Sequence, residues 1–340
     1  METPSAPDTR RREPIGPELQ QLLNPVEASE VRRTLEDGHE SVPGTDGIKL
    51  SDLKHSEDLT THFNLWLLTA TPPSEFKGVM MLVPKSKDVK LFCDYRLITV
   101  CTMISRVSHR LLASRLECEL PLSPRQKAFR HGDGLTDNIW LLRSKYKSKL
   151  ERAKPPHMRF IDVVKAFDSV SQETIIAAAR RMGVPERLHD YFSQLFIDSI
   201  TSLKLNNGMS APIRIGRGVK QSEPLSAILF NCVMNWILSE LDENVGVSIK
   251  PSIRVNHLAF ANDVVLMAES VAGLNRLVDN YEERVSMAGL KQNPRKSATI
   301  SIVVDGKRKK AVIGTKCIVK LDGQEVPALD SSMVYRYIGI

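Results

Sequence analysis

Apolar residues recur along this chain with two different periods, and the switches between them lay out a mixed set of elements. Helical spacing, with apolar side chains returning every three to four residues, runs from about Val26 to Leu35, from about Glu57 to Leu68, and from Ile104 to Leu120 through Val107, Leu111, Leu112 and Leu116. It returns from Leu135 to Leu150 and on the face formed by Leu188, Tyr191, Phe192, Leu195 and Phe196. From Pro224 to about Leu241 it turns Leu225, Leu229, Cys232, Trp236 and Leu241 inward, and Leu274, Leu277, Val278 and Tyr281 mark a further helix. Short apolar runs predict strands. Val79 to Val83 ends in Pro84 and reads as a buried strand, Arg159 to Val164 as another, and residues 253–269 as two strands around a tight turn. Leu203 to Leu205 and Ile213 to Ile215, with Asn206-Asn207-Gly208 between them, predict a hairpin. Residues 300–340 alternate and carry Asp305-Gly306 and Asp322-Gly323 turns, so this part is expected to be strand-rich.

Punctuation agrees with these boundaries. Asp37-Gly38, the dense turn Pro43-Gly44-Thr45-Asp46-Gly47, and Pro72-Pro73 stop the helices before them. No internal repeat is visible, and strands and helices are separated rather than regularly alternating. This pattern predicts an α+β fold.

Composition narrows the class only a little. A chain of 340 residues, 42% hydrophobic and 26% charged, can bury one large or two ordinary cores. No apolar run reaches the ~20 residues of a membrane span, and the first residues lack the apolar segment of a secretory signal. The expectation is a nuclear or cytoplasmic protein without a membrane, and no feature demands an obligate oligomer. Residues 1–16 are polar, with Arg10-Arg11-Arg12, and read as a disordered arm before a helical lead-in to about residue 40. Cys93, Cys101, Cys118, Cys232 and Cys317 form no C-x-x-C pair, so they are expected to be small buried hydrophobes rather than zinc ligands or disulfides. Lys and Arg outnumber Asp and Glu by 47 to 40. That mild basicity suits a nucleic-acid partner and is shared by many proteins that bind none.

Four segments can carry chemistry. Asp162 ends an apolar strand in Phe160-Ile161-Asp162-Val163-Val164. A carboxylate fixed by a sheet is a good Mg²⁺ ligand, and an Asp before a helix is equally a cap. In Leu258-Ala259-Phe260-Ala261-Asn262-Asp263-Val264, apolar arms flank a polar tip, Asn262-Asp263. Asn and Asp tolerate the positive φ of tight turns, so the tip is either an ordinary hairpin or a second carboxylate brought beside Asp162. Gly216-Arg217-Gly218-Val219-Lys220-Gln221-Ser222-Glu223-Pro224 is a glycine-bearing loop opening a helix, which by itself says little about a ligand. Lys85, Lys87, Lys90 and Arg96 make a basic patch near a hairpin, able to hold a triphosphate or simply to face solvent.

Together and in this order, these segments resemble the reverse transcriptases of non-LTR, LINE-like retrotransposons, particularly the branch that inserts into ribosomal DNA. The resemblance covers roughly residues 40–340. It rests on Pro43-Gly44-Thr45-Asp46-Gly47-Ile48, Leu82-Val83-Pro84-Lys85, Asp94-Tyr95-Arg96-Leu97-Ile98-Thr99 and Pro124-Arg125-Gln126-Lys127-Ala128-Phe129. Residues 160–170, 216–231 and 258–268 match motifs A, B and C; Gly289-Leu290 with Asn293-Pro294-Arg295-Lys296-Ser297 matches motif D; and Tyr335-Arg336-Tyr337-Ile338-Gly339 matches motif E. The resemblance implies a right-hand polymerase fold, with fingers over residues 41–150 and an antiparallel palm over 151–340. It implies RNA-directed DNA polymerisation on an RNA template and DNA primer, with deoxynucleoside triphosphates as substrates and two Mg²⁺ ions as cofactor. Asp162 and Asp263 would bind metal, with Asn262 at the central ligand position. Lys85 and Arg96 would hold the triphosphate, Gln221 would line the nucleotide pocket, Phe167 would reject a 2′-hydroxyl by bulk, and Lys296 would donate a proton to the leaving pyrophosphate.

The sequence also departs from that pattern. Motif C is Ala-Asp-Asp in the family and Ala261-Asn262-Asp263 here, which is expected to weaken metal binding and impair activity. Motif B usually reads Gln-Gly-Asp-Pro and is Gln221-Ser222-Glu223-Pro224 here; Leu97 stands where proline is usual. The chain stops at Ile340, directly after motif E, so the thumb is expected to be absent, along with the DNA-binding and endonuclease parts of such elements. A non-catalytic RNA-binding remnant is the competing expectation.

Overall fold

The computed structural model describes residues 16–337 apart from 45, 57, 73–77, 131, 152–155, 198, 206, 251–252, 306–309, 315–319, 322–323, 331, 334 and 336. The Arg10-Arg11-Arg12 arm, Thr45, Glu57, Pro73, Asn206, Cys317, the Gly306 and Asp322-Gly323 turns, and Arg336, Ile338 and Gly339 of the last motif lie outside the described residues, as does the side chain of Cys93.

In chain order the elements are α1 (Ala28–Glu36), α2 (Leu50–Leu53), α3 (Leu59–Thr69), β1 (Val79–Pro84), β2 (Tyr95–Val100), α4 (Met103–Glu119), α5 (Gly134–Glu151), β3 (His157–Ile161) and α6 (Ala166–Ser169). There follow α7 (Gln172–Arg181), α8 (Glu186–Ile197), β4 (Ile200–Leu205), β5 (Gly208–Met209), β6 (Ile213–Arg214), α9 (Pro224–Ser239), β7 (Val247–Lys250) and β8 (Ile253–Val255). The rest are β9 (His257–Phe260), β10 (Asp263–Ala268), α10 (Val271–Met287), β11 (Ala298–Asp305), β12 (Lys310–Gly314), β13 (Lys320–Leu321) and β14 (Gln324–Glu325). The chain divides into two compact units. One holds the described residues up to Pro121 together with Val170–Cys232; the other holds Leu122–Ser169 and Val233–Ile340.

The first unit packs helices beside a sheet of order β2-β1-β4-β5, with β6 also on β4. All its pairings are antiparallel except β1 with β4. Val31 and Leu35 of α1, Phe63 of α3, and Met103, Val107 and Leu111 of α4 close one core. Helix starts are fixed locally. The Glu27 N–H donates to the Glu30 carboxylate at 3.0 Å, and Thr102 caps α4 by accepting from the Ser105 N–H. Strand β1, paired with β2, is half-buried from Val79 to Leu82 and exposed at Val83 and Pro84, not buried as expected.

The second unit is built on the antiparallel sheet β12-β11-β3-β10-β9. Strand β3 is buried at every position. Alternate residues of a strand point to opposite faces. Val265 and Met267 therefore join Met158, Phe160 and Leu258 in one cluster, while Val264 and Leu266 face the other way and are equally buried. Helix α10, with Leu274, Leu277, Val278 and Tyr281 buried, packs on β10 and β3. Burial on both faces explains why residues 264–268 read as an unbroken apolar run instead of an alternating one.

The fold is thus a mixture of helices and largely antiparallel sheets. Several boundaries move: the strand expected to reach Val164 ends at Ile161, and α9 ends at Ser239. Cys101 and Cys232 are buried, but Cys118 is exposed, against expectation, on the outer side of α4. Among the described residues no helix is long and apolar enough to cross a membrane.

Candidate active site

Strands β3 and β10 pair in antiparallel register, and the ladder ends at Val264 opposite Ile161. One residue further, Asp263 and Asp162 face each other across the mouth of the ladder, where side chains on paired strands stand roughly 5 Å apart. The segment 291–297 is laced along the same edge. Val164 N–H donates to the Lys291 carbonyl at 2.8 Å, and Asn293 N–H donates to the Asp162 carbonyl at 2.8 Å. Ser297 Oγ accepts from the Asp162 N–H at 3.3 Å and donates to the Asn293 carbonyl at 2.8 Å. This lacing delivers the exposed Lys296 close enough to act on both carboxyl groups. Tyr335 steadies it by donating its hydroxyl to the Lys296 carbonyl at 2.7 Å, and Phe160 packs against the rings of Tyr335 and Tyr337.

The turn itself differs from the sequence reading. Phe260 pairs with Asp263, so the two loop residues are Ala261 and Asn262, and Asp263 is already the first residue of β10. The positive φ falls on Ala261, at 53°, not on the polar pair. A residue with a Cβ is disfavoured there, and the buried side chain of Gln126 holds it by hydrogen bonds to both sides of the Ala261 backbone. Gln126 belongs to one of the segments that carry the resemblance, and nothing in its sequence context gives it this task.

Charge is poised rather than balanced at the edge. Burial pushes the Asp263 carboxyl up to about 6, the facing Asp162 pushes the same way, and Lys296 pulls it down. Asp162 is raised by burial, against Lys296 and a hydrogen bond with Asn293. Two crowded carboxylates of this kind resist ionising together unless a cation joins them. Among the described residues no group of three or more His, Cys, Asp or Glu is arranged to hold a metal. The two carboxylates are hard oxygen ligands of the type Mg²⁺ prefers, and Asn262, in the adjoining turn, carries an amide oxygen.

This electrostatics has a measurable consequence for stability. A carboxyl raised on folding stabilises the fold below its unfolded pKa, near 3.8, and that contribution is lost as the pH rises through about 6. In a metal-free buffer, Asp263→Asn should therefore melt higher than the parent at pH 7.5 and about the same at pH 4. Thermal melts in EDTA at the two pH values check it; no difference at pH 7.5 would contradict the strained pair.

Phe167 lies in the second unit on α6, half-buried, with its ring edge-on to Phe129 at 5.9 Å. The remaining candidates lie in the first unit. Val83 pairs with Arg96, and the Lys85 N–H donates to the Asp94 carbonyl at 2.8 Å, so both cations project from the exposed end of the β1–β2 ribbon and share a face. Gln221 runs beside β2, its carbonyl accepting from the Thr99 N–H at 3.1 Å. Next to it Ser222 has φ 77°, the left-handed backbone that suits glycine. Glu223 is buried with His109 and Tyr191: His109 Nδ1 lies 2.6 Å from its carboxylate and His109 Nε2 lies 3.0 Å from the Tyr191 hydroxyl. Sequence reading missed this network, because its members are far apart in the chain and each sits in an ordinary apolar helix or loop.

Comparison with known proteins bears on the whole chain. Residues 83–337 match the family described as reverse transcriptase (RNA-dependent DNA polymerase). The chain is 30% identical over 337 residues to a Retrovirus-related Pol polyprotein from type-1 retrotransposable element R2 of Nasonia vitripennis, covering 98% of this chain and 33% of that protein. It is 32% identical over 303 residues to the Pol polyprotein from type-2 retrotransposable element R2DM of Drosophila melanogaster, covering 88% of this chain and 28% of that one. The transposon TX1 uncharacterized 149 kDa protein of Xenopus laevis is 25% identical over 290 residues, 82% of this chain and 22% of its own length. The chain thus spans about a third or less of these relatives.

Proposed function

This chain belongs to the reverse transcriptase (RNA-dependent DNA polymerase) family, and from that premise we propose that it is the polymerising domain of an R2-type retrotransposon polyprotein, adding deoxynucleotides to a DNA 3′ end on an RNA template. The observation that carries the proposal is the facing pair Asp162 and Asp263, crowded, buried enough to resist ionising, and overlooked by Lys296. On this reading residues 41–150 are the fingers and 151–340 the palm.

Asp162 and Asp263 hold Mg²⁺ by carboxylate oxygens, and Asn262 offers its carbonyl oxygen. When bound, the metal supplies positive charge to the attacking and leaving oxygens of phosphoryl transfer. Lys296 holds a proton for the leaving pyrophosphate, at its Nζ. Lys85 and Arg96 bind the triphosphate of the incoming nucleotide by charge-assisted hydrogen bonds. Gln221 lines the nucleotide pocket, and the Phe167 ring fills the space a 2′-hydroxyl would need. Asn262 brings one charge fewer than the family's carboxylate, so the site works below the family's rate. The reading as a non-catalytic RNA-binding remnant has no observation of its own: the residues that such a remnant could shed, Asp162, Asp263 and Lys296, are kept and gathered.

Primer extension on an RNA template in Mg²⁺ tests the proposal. Asp162→Ala should abolish extension, a loss of at least about 10³-fold by analogy with removing one charge-stabilising group, while leaving the circular dichroism of the fold intact. Template-dependent extension that survives Asp162→Ala would remove the site from the chemistry.

A further inference from the structure

Gln126 is completely buried in the second unit. Its side-chain amide pairs with the backbone of Ala261 as one peptide group pairs with another. The Ala261 N–H donates to Gln126 Oε1 at 2.9 Å, and Gln126 Nε2 donates to the Ala261 carbonyl at 3.1 Å. Oε1 also accepts from the Ala128 N–H at 3.2 Å. On either side the backbone is tied to β9: the Ala259 N–H donates to the Arg125 carbonyl at 3.0 Å and the Lys127 N–H donates to the Ala259 carbonyl at 3.0 Å. Asn138 Nδ2 gives that same carbonyl a further bond at 2.9 Å.

These bonds converge on a strained turn. Tight two-residue turns favour Gly, Asn or Asp where φ is positive, and here Ala261 takes φ 53°. Left to itself an alanine would relax toward negative φ, and the turn would carry Asn262 and Asp263 away from Asp162. Many side chains could fill the space, but the primary amide offers the Ala261 backbone a donor and an acceptor at once without any charge to bury.

We propose that Gln126 is a positioning residue for the candidate metal site: it clamps Ala261 in its left-handed conformation and thereby sets where Asn262 and Asp263 stand relative to Asp162. The metal-binding part of this inference rests on the function proposed above; the clamp itself does not.

The test uses the full chain, Mn²⁺ as the probe, and electron paramagnetic resonance titration to read free ion. Gln126→Leu keeps the volume and removes all three side-chain bonds. It should weaken Mn²⁺ binding about ten-fold or more. Adding Ala261→Gly to that variant should restore most of the affinity, because glycine holds a positive φ without a clamp. A side chain needed only for packing would leave the double variant as weak as the single one, and that result, or Mn²⁺ affinity in Gln126→Leu equal to the parent, overturns the proposal. If Gln126→Leu does not fold, Gln126→Met, which keeps the length of the side chain and has no donor for the Ala261 carbonyl, takes its place with the same two outcomes. If the parent binds Mn²⁺ no better than Asp162→Ala, the metal reading fails instead. The clamp is then read from hydrogen exchange of the Ala261 amide, expected to be at least ten-fold faster without Gln126; unchanged exchange overturns it.

Discussion

Asn262→Asp should extend a DNA primer on an RNA template about 10³-fold faster than the parent chain in Mg²⁺, with the gain in kcat rather than in KM for the nucleotide. An amide carbonyl offers lone pairs without charge, and Mg²⁺ binds charged oxygen best. Restoring the charge where negative charge moves between oxygens is worth about 4 kcal/mol of transition-state stabilisation, which is about 10³ in rate. The backbone is ready for the change, since residue 262 is the second loop residue of a turn already held by Gln126 and by the β9–β10 ladder. The gain has a cost in the metal-free state. A third carboxylate would join a pair in which Asp263 is already pushed up to about 6, so the variant should depend more on divalent cation for its stability at neutral pH. Steady-state extension with varied nucleotide and Mg²⁺ separates the two effects; equal kcat in parent and variant would mean that Asn262 is not what limits the site.

Glu223→Ala should cost about 3–5 kcal/mol of folding stability, the usual penalty for removing one member of a buried pair. Burial works to raise the Glu223 carboxyl, yet His109 and hydrogen bonds from His109, Ser226 and the Leu225 N–H together hold it below its ordinary value. The same carboxylate accepts from the Ser226 N–H at 2.7 Å and the Ser226 hydroxyl at 2.8 Å, so it also caps α9. Removing it takes the carboxylate partner from His109, 3% exposed, and the side-chain cap from the start of α9. Urea unfolding of Glu223→Ala and His109→Leu, singly and together, gives the coupling; the double variant should lose clearly less than the sum of the singles. Additive losses would mean that the pair is incidental.

The extent to which sequence foretold this molecule follows from the range of the interactions. Helix α4 was legible because Val107, Leu111, Leu112 and Leu116 repeat at helical spacing and all four are buried. The meeting of Asp162 with Asp263 was implied by the resemblance, through the order of the motifs, while the residues alone left the 262–263 tip equally an ordinary hairpin. The location of the strained residue was not legible. Composition favoured Asn262 and Asp263 as the tip, whereas the ladder register placed Ala261 there, and register is set by cross-strand packing that a single strand does not encode. The partner of Gln126 and the joining of His109, Glu223 and Tyr191 were not legible, for the same reason. The paired residues lie 135, 114 and 82 residues apart, with no periodic signal to join them.

The left-handed backbone at Ser222 is a bend imposed from outside the residue that makes it. The resemblance leads one to expect glycine at that position; serine stands there, and the loop follows the path that glycine suits, held by Thr99 on one side of it and the capping Glu223 on the other. Neighbours, not the resident, dictate the bend. A glycine at 222 would follow the same path without steric cost, so at this bend the surroundings fix the shape and the side chain only tolerates it.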